Sequence, residues 1–468
     1  MSQPFSRREL LKWAGAGAGA AAVGGGVWLV GRDDHSRLAD VGETSTPATM
    51  SSSGQMGRDG TAVASTPLST APSASSASSA SMADVPAVAP NADLAGRMLV
   101  VVELDGGNDG HSTLVPYGYG EYYDARTRTA VGEADVIHLS DTVGLHKNLS
   151  KINRRGPAIV QGLGSLQPDE SHFEMLARWW SGDPVASNSF GTGFLGRLAD
   201  AVGDPAAAAV AVSIGSASHP SMISAKAATL CLNNPDAFDY LIGADPEDVL
   251  RSAFQRGYAG FASGAAADPF QARLRAVKGQ SVAFAEALGL IDDEDGDGND
   301  DGDEGYPGSA LGQGLRLAAH LLDAQLGVRI VHVPMQEDFD THDDHSGRHP
   351  GLLQSLDDSL DAFLADLDRR GLADRVLVMT TSEFGRTLRD NGSSGLDHGT
   401  ASAGLLLGPV HAGLYGEFPS LTKLSDADEP IATVSFDQYY ATVAEAWFGV
   451  PAGDVLHGNV APLADIFE

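Results

Sequence analysis

Cysteine is all but missing. Cys231 is the only one in 468 residues, so no intramolecular disulfide can form and no thiolate-based zinc site exists. Any metal must be held by imidazole, carboxylate or hydroxyl groups. Positive charge is scarce as well. Thirty Lys and Arg face 62 Asp and Glu, for a net charge of −32, and only six of the thirty are lysine. Eight of the acidic residues precede Met98, so the excess negative charge belongs almost wholly to the rest of the chain. A surface so acidic repels phosphate backbones and anionic lipid heads, which argues against nucleic acid as a partner. Repeats of fixed period are absent too, while 43% hydrophobic residues can fill a substantial core.

The opening segment Ser6-Arg7-Arg8-Glu9-Leu10-Leu11-Lys12 is followed by eighteen uncharged residues, Trp13 to Val30, with six Gly and six Ala. Adjacent arginines before a weakly apolar stretch resemble a twin-arginine (Tat) export signal over residues 1–31. That resemblance implies passage through the Tat machinery to the periplasm, the cell surface or beyond. Eighteen residues just reach across a bilayer, although so much glycine makes a poor helix. No clear A-x-A cleavage site follows, so an N-terminal membrane tether stays open. Residues 32–97 read as a linker. From Thr61 to Ala92, 25 of 32 residues are Ser, Thr, Ala or Pro, too little apolar surface to offset the entropy of ordering.

Residues 98–468 read as one folded domain. Met98–Leu104 is rich in Val and Leu and runs into Asp105-Gly-Gly-Asn-Asp109-Gly, the pattern of a buried parallel strand and a glycine loop. Similar runs recur at 158–160, 210–214, 328–333 and 375–380. Helical patterns lie between them at 171–180, 311–325 and 352–370. This alternation predicts an α/β fold with a mainly parallel sheet. In such sheets ligands bind beyond the carboxyl ends of the strands.

Four places at that predicted edge collect metal-ligating chemistry. They are Asp105 with Asp109, Asp169-Glu-Ser171-His172, Asp338-Phe-Asp340-Thr-His342-Asp-Asp-His345, and Ser382-Glu383-Phe-Gly-Arg386 with Asp397-His398 downstream. Each has a plainer reading by itself. Asp105 or Asp109 can cap a glycine turn, and Ser171 can cap a helix. His342 and His345 can lie in a solvated loop, and Glu383 can pair with Arg386. Together they form a set of oxygen and nitrogen donors suited to hard and borderline divalent ions.

The strings Leu104-Asp-Gly-Gly-Asn-Asp-Gly110, Gly144-Leu-His146, Ser171-His-Phe173, Phe339-Asp-Thr-His342, Ser382-Glu-Phe-Gly-Arg-Thr387, Asp397-His-Gly-Thr-Ala-Ser402 and Phe436-Asp-Gln-Tyr-Tyr-Ala-Thr442 occur in this order. In them the chain resembles a family of Tat-exported bacterial domains of unknown function, family 1501, placed in the alkaline phosphatase and sulfatase superfamily. The resemblance implies an alkaline phosphatase-like three-layer fold. It also implies a metal held by Asp105 or Asp109 with Glu383, and another held by Asp340, His342 and His398. By the same resemblance Ser171 would match the nucleophile's position, at a helix N-terminus, and Arg386 would hold an anionic oxygen. Zinc, manganese and magnesium all stay open as the ion. Two features depart from the superfamily. Phe384 follows the acid where a histidine is usual, which weakens one metal position. Neither Cys231 nor Ser171 lies in a formylglycine modification motif, which disfavours that class of sulfatase.

A second acidic feature spans 292–305. Asp293, Asp295, Asp297 and Glu304 fall at positions 1, 3, 5 and 12 of a calcium loop, but Asp300 stands where an aliphatic residue is wanted. A solvated acidic insertion explains it as well. Three functions therefore compete. The leading one is a metal-dependent hydrolase of phosphate or sulfate esters, acting on a small molecule or a polymer. The others are a non-catalytic binding protein that keeps a structural cation, and a calcium-dependent surface module.

Overall fold

The computed structural model describes residues 94–232 and 305–467, apart from 188–190, 205–206 and 208, with scattered positions between 256 and 275. The export segment, residues 32–93 of the linker and the acidic run with Asp293, Asp295, Asp297 and Glu304 lie outside the described residues, whereas Leu94–Gly96, which the sequence reading gave to the linker, forms a short helical turn and Arg97 bonds to the Trp447 carbonyl. No helix among the described residues is long and apolar enough to cross a membrane.

A nine-stranded sheet forms the centre. Its strands are β1 Met98–Glu103, β2 Ala158–Gly164, β3 Ala211–Ile214, β4 Thr229–Leu232, β5 Ile330–Pro334, β6 Val376–Thr381, β7 Ser402–Leu407, β8 Gly413–Tyr415 and β9 Val434–Ser435. The order is β8-β2-β7-β6-β1-β5-β3-β4, with β9 also beside β2. β7 runs antiparallel to both of its neighbours, and every other pairing is parallel. All six residues of β1 are buried, as expected of a strand covered on both faces. Val100 and Val102 face one core with helices α3 Ala310–Asp323 and α4 His345–Arg370. Leu99 and Val101 face the other, with α1 His172–Ser181, α2 Phe194–Val202 and α5 Phe436–Ala441. The result is three layers, helix–sheet–helix.

The predicted elements are present, with one extension. α4 begins at His345 rather than near Leu352, with Pro350 inside it. Proline in the second turn removes a single intrahelical bond, to the carbonyl four residues back. That carries His345 and His349 into a buried polar network beneath the glycine loop. The two-residue strand Gly385–Arg386 pairs with His398–Gly399, which brings the sequences after β6 and before β7 together.

His111 is buried beside this network, and neither of its ring nitrogens has a hydrogen-bond partner. Burial first, then the nearby Arg126 charge, lowers its pKa from 6.5 to about 4, with Asp109 opposing. Between those values the unfolded chain takes up a proton that the folded histidine refuses. This contribution to stability is complete above pH 6.5 and is lost as pH falls towards 4, at up to about 1.4 kcal/mol per pH unit. His111→Leu removes it. Urea unfolding at a series of pH values should show the variant gaining on the wild type steadily below pH 6.5, and parallel stability curves would refute the assignment.

Candidate metal centre

The glycine loop after β1 sets the geometry of the site. Gly106 and Gly107 have φ values of +100° and +84°, which glycine adopts without strain. A Cβ on Gly106 would lie 2.5 Å from the Asp340 nitrogen, and one on Gly107 would lie 2.4 Å from the Phe384 ring. The loop can therefore press against the segments that follow β5 and β6, and those segments carry the donors.

Asp340 is the hub. Its Oδ1 lies 3.1 Å from His342 Nε2 and 3.3 Å from His398 Nε2, and its Oδ2 lies 3.9 Å from His172 Nε2. One ligand atom from each of His172, Asp340 and His398 falls within 4.8 Å of the others. The two imidazole nitrogens His342 Nε2 and His398 Nε2 are 2.9 Å apart.

The opposite nitrogen of each ring is tied to an oxygen. His172 Nδ1–H donates to Glu383 Oε1 at 2.9 Å, His342 Nδ1–H to Asp397 Oδ1 at 3.0 Å, and His398 Nδ1–H to the Glu170 carbonyl at 2.6 Å. These acceptors place the proton on Nδ1 and leave the Nε2 lone pairs converging on Asp340. Neutral imidazoles and a carboxylate meeting this way repel one another unless a proton or a cation lies between them. Histidines oriented from behind by carboxylates and carbonyls are the usual arrangement at a metal. The donor set therefore fits a divalent cation.

The charges agree. The bond to Glu383 raises the pKa of His172, with burial opposing, and burial lowers that of His398. Burial works to raise the Asp340 pKa, but the guanidinium of Arg386 with His342 and His172 outweighs it and holds the group below its ordinary value.

Of the residues expected from sequence, Asp340, His342 and His398 converge, and four others are placed differently. Glu383 lies at the site as the acceptor behind His172, and it also accepts from the Gly106 N–H at 2.9 Å. Asp105 lies nearby outside the ligand group, its carboxyl pushed up to about 7 by burial and by repulsion from Glu103, Glu383 and Asp338, with His219 opposing. Asp109 is fully buried in a two-pronged pair with Arg126, at 2.5 and 2.8 Å, and caps the turn Gly110–Thr113. Its remaining neighbour is His345, 3.3 Å away, so its oxygens are committed to holding the fold together. Arg386 is also fully buried. It donates to the carbonyls of Gly106, Gly107, Leu396 and Phe339 and, at 2.5 Å, to Asp340. A guanidinium so occupied clamps the loops and presents no free fork to an anion.

Ser171 is the N-cap of α1, and its side chain makes no capping bond. His172 beside it, named in sequence only as part of the Asp169–His172 group and given no role there, supplies a candidate donor atom to this cluster. The signal was its place directly after the serine, at the start of a helix whose N-terminus faces the strand ends. Phe384 packs against the rings of His172 and His398, with centroids 4.8 and 4.5 Å apart. Its ring offers no donor to a cation.

Among solved structures, the chain is similar to a lipoteichoic acid synthase from Listeria monocytogenes, at 9% identity over 77% of this chain and 74% of that one, TM-score 0.35. It is similar to a sulfatase from a Pseudoalteromonas species, at 12% over 78% and 73%, TM-score 0.34. It is also similar to the alkaline phosphatase of the Antarctic bacterium TAB5, at 13% over 68% and 94%, TM-score 0.31. No curated protein matches. Residues 4–24 match the twin-arginine translocation signal sequence, so the protein is exported through the Tat pathway. Residues 150–445, more than half of the chain, match a single family, and the protein belongs to it: the family described as "Protein of unknown function (DUF1501)".

Proposed function

We propose that this exported protein is a metal-dependent hydrolase of phosphate or sulfate esters, with Asp340, His342, His398 and His172 holding a divalent cation. The observation that carries this reading is the set of three imidazoles, each fixed at Nδ1 and turned by Nε2 towards one carboxylate. Mixed imidazole and carboxylate donors favour zinc or manganese over magnesium. A cation held by these residues would supply Lewis acidity towards an ester oxygen.

The protein's own groups do the remaining work. The hydroxyl of Ser171 is the candidate nucleophile. It lies at the positive end of α1, where the helix dipole favours its ionised form. Glu383 holds His172 in the tautomer that turns Nε2 inward. Arg386 acts as a positioning residue, fixing Asp340 and both glycine carbonyls in one rigid frame. The committed guanidinium and Phe384 also support a second reading, a binding protein with a structural cation, because neither residue serves an anionic substrate.

Ser171→Ala separates the two. With p-nitrophenyl phosphate and p-nitrophenyl sulfate as probes, the hydrolase reading expects turnover to fall on the order of 10³-fold or more, with metal content by elemental analysis unchanged. Equal turnover in wild type and variant would remove Ser171 from the chemistry. No turnover by a metal-loaded wild type on either class of ester would leave the binding protein.

A further inference from the structure

A second cluster lies on the α1 side of the same sheet edge and shares no ligand with the first. Glu103 is the last residue of β1, and His332 lies opposite Val101 in the β1–β5 register. Side chains alternate along a strand, so Val101, Glu103 and His332 share one face. His219 reaches the same point from the segment after β3, held by the Pro220–Met222 turn.

Glu103 Oε2 lies 2.8 Å from His219 Nε2 and 2.9 Å from His332 Nε2. The two imidazoles stack with centroids 3.8 Å apart. Trp180 Nε1–H donates to the other carboxylate oxygen at 2.7 Å and so turns Oε2 towards the imidazoles. His219 Nδ1 is bonded to Ser221 Oγ at 2.7 Å. One carboxylate oxygen and two imidazole nitrogens thus converge with supporting groups behind two of the three ligands, as metal ligands usually have.

The independent observation is His332 Nδ1. The residue is 2% exposed and this nitrogen has no hydrogen-bond partner. Its ring forms part of the wall of a cavity of about 290 Å³, with Ser213, Ser216, His219 and Gln336 also in the wall. A buried imidazole nitrogen is costly to leave unmatched, and the cavity against the ring has room for further ligands of an ion held by the opposite nitrogen.

We propose that Glu103, His219 and His332 form a second divalent-cation site, of zinc-type chemistry, with its remaining coordination positions open to this cavity. Two imidazoles and one carboxylate are three donors, the number that leaves a tetrahedral ion one free position.

The experiment uses the mature protein stripped with chelator and titrated with Zn²⁺ alone, with stoichiometry read by elemental analysis and calorimetry. Wild type should bind two equivalents. His219→Ala should lose one of them, with its affinity at least 100-fold weaker, and His342→Ala/His398→Ala should lose the other. Glu103→Gln keeps the side chain's shape and removes its charge, so it repeats the test where His219→Ala disturbs the loop. Tryptophan emission should change on zinc addition in wild type and in the His342/His398 variant, but not in His219→Ala or Trp180→Phe. Equal zinc stoichiometry and affinity in wild type, His219→Ala and Glu103→Gln would overturn this site whatever the first one does. One equivalent in wild type, lost in His219→Ala but kept in the His342/His398 variant, would uphold it and remove the first.

Discussion

His342→Ala/His398→Ala is expected to release the cation at Asp340 and lower ester hydrolysis on the order of 10³-fold or more. Lone pairs from both rings meet Asp340 Oδ1 at 3.1 and 3.3 Å, and their removal leaves too few donors to hold a borderline ion. The variant should not unfold. His342 is 42% exposed, and without metal the two Nε2 lone pairs 2.9 Å apart oppose the fold. The metal-free variant should therefore melt at or above the temperature of the metal-free wild type. Metal widens the contrast in the other direction. At a hundredfold excess over Kd, a cation stabilises the wild type by about 2.7 kcal/mol, and the share due to this site vanishes in the variant. Melting curves with and without zinc, together with elemental analysis, read both effects. Undiminished metal and an unchanged response to it would refute the centre.

Arg126→Met should be the most destabilising single substitution considered, at about 3–5 kcal/mol, because it leaves an unpaired carboxylate in the interior. Asp109 and Arg126 both have fully buried side chains. Burial by itself would raise the Asp109 pKa, but the guanidinium outweighs it and holds the carboxyl well below its ordinary range. That contribution is complete above the unfolded carboxyl's pKa, near 4, and is lost as pH falls through the folded value. Asp109→Asn/Arg126→Met should recover much of the loss, since it removes both charges and keeps a capping oxygen. Urea unfolding of the two variants and the wild type gives the comparison. A cost below about 1 kcal/mol for Arg126→Met would contradict the pairing. Metal content that stays at the wild-type level in Asp109→Asn, with loss in the His342/His398 variant, would place Asp109 in the framework.

The amino-acid sequence by itself determined the α/β class and the edge of the sheet where chemistry gathers. Runs of Val, Ile and Leu mark strands buried on both faces, and parallel strands necessarily bring all their carboxyl ends to one side. Asp340, His342 and His398 could be gathered on that ground, since each lies a few residues beyond a strand end or before the antiparallel β7. The tertiary structure decided what each polar residue faces. Glu383 became the acceptor behind His172, 211 residues away, and Asp109 was taken up by Arg126 from a different segment. Arg386 was consumed by carbonyls that local spacing could not reveal. Glu103 and His332 look in sequence like polar residues inside apolar strands, and only the β1–β5 register, across 229 residues, sets them on one face. Periodicity reports which side of an element is buried. It carries no information on which distant side chain lies opposite, because that is fixed by strand order and register.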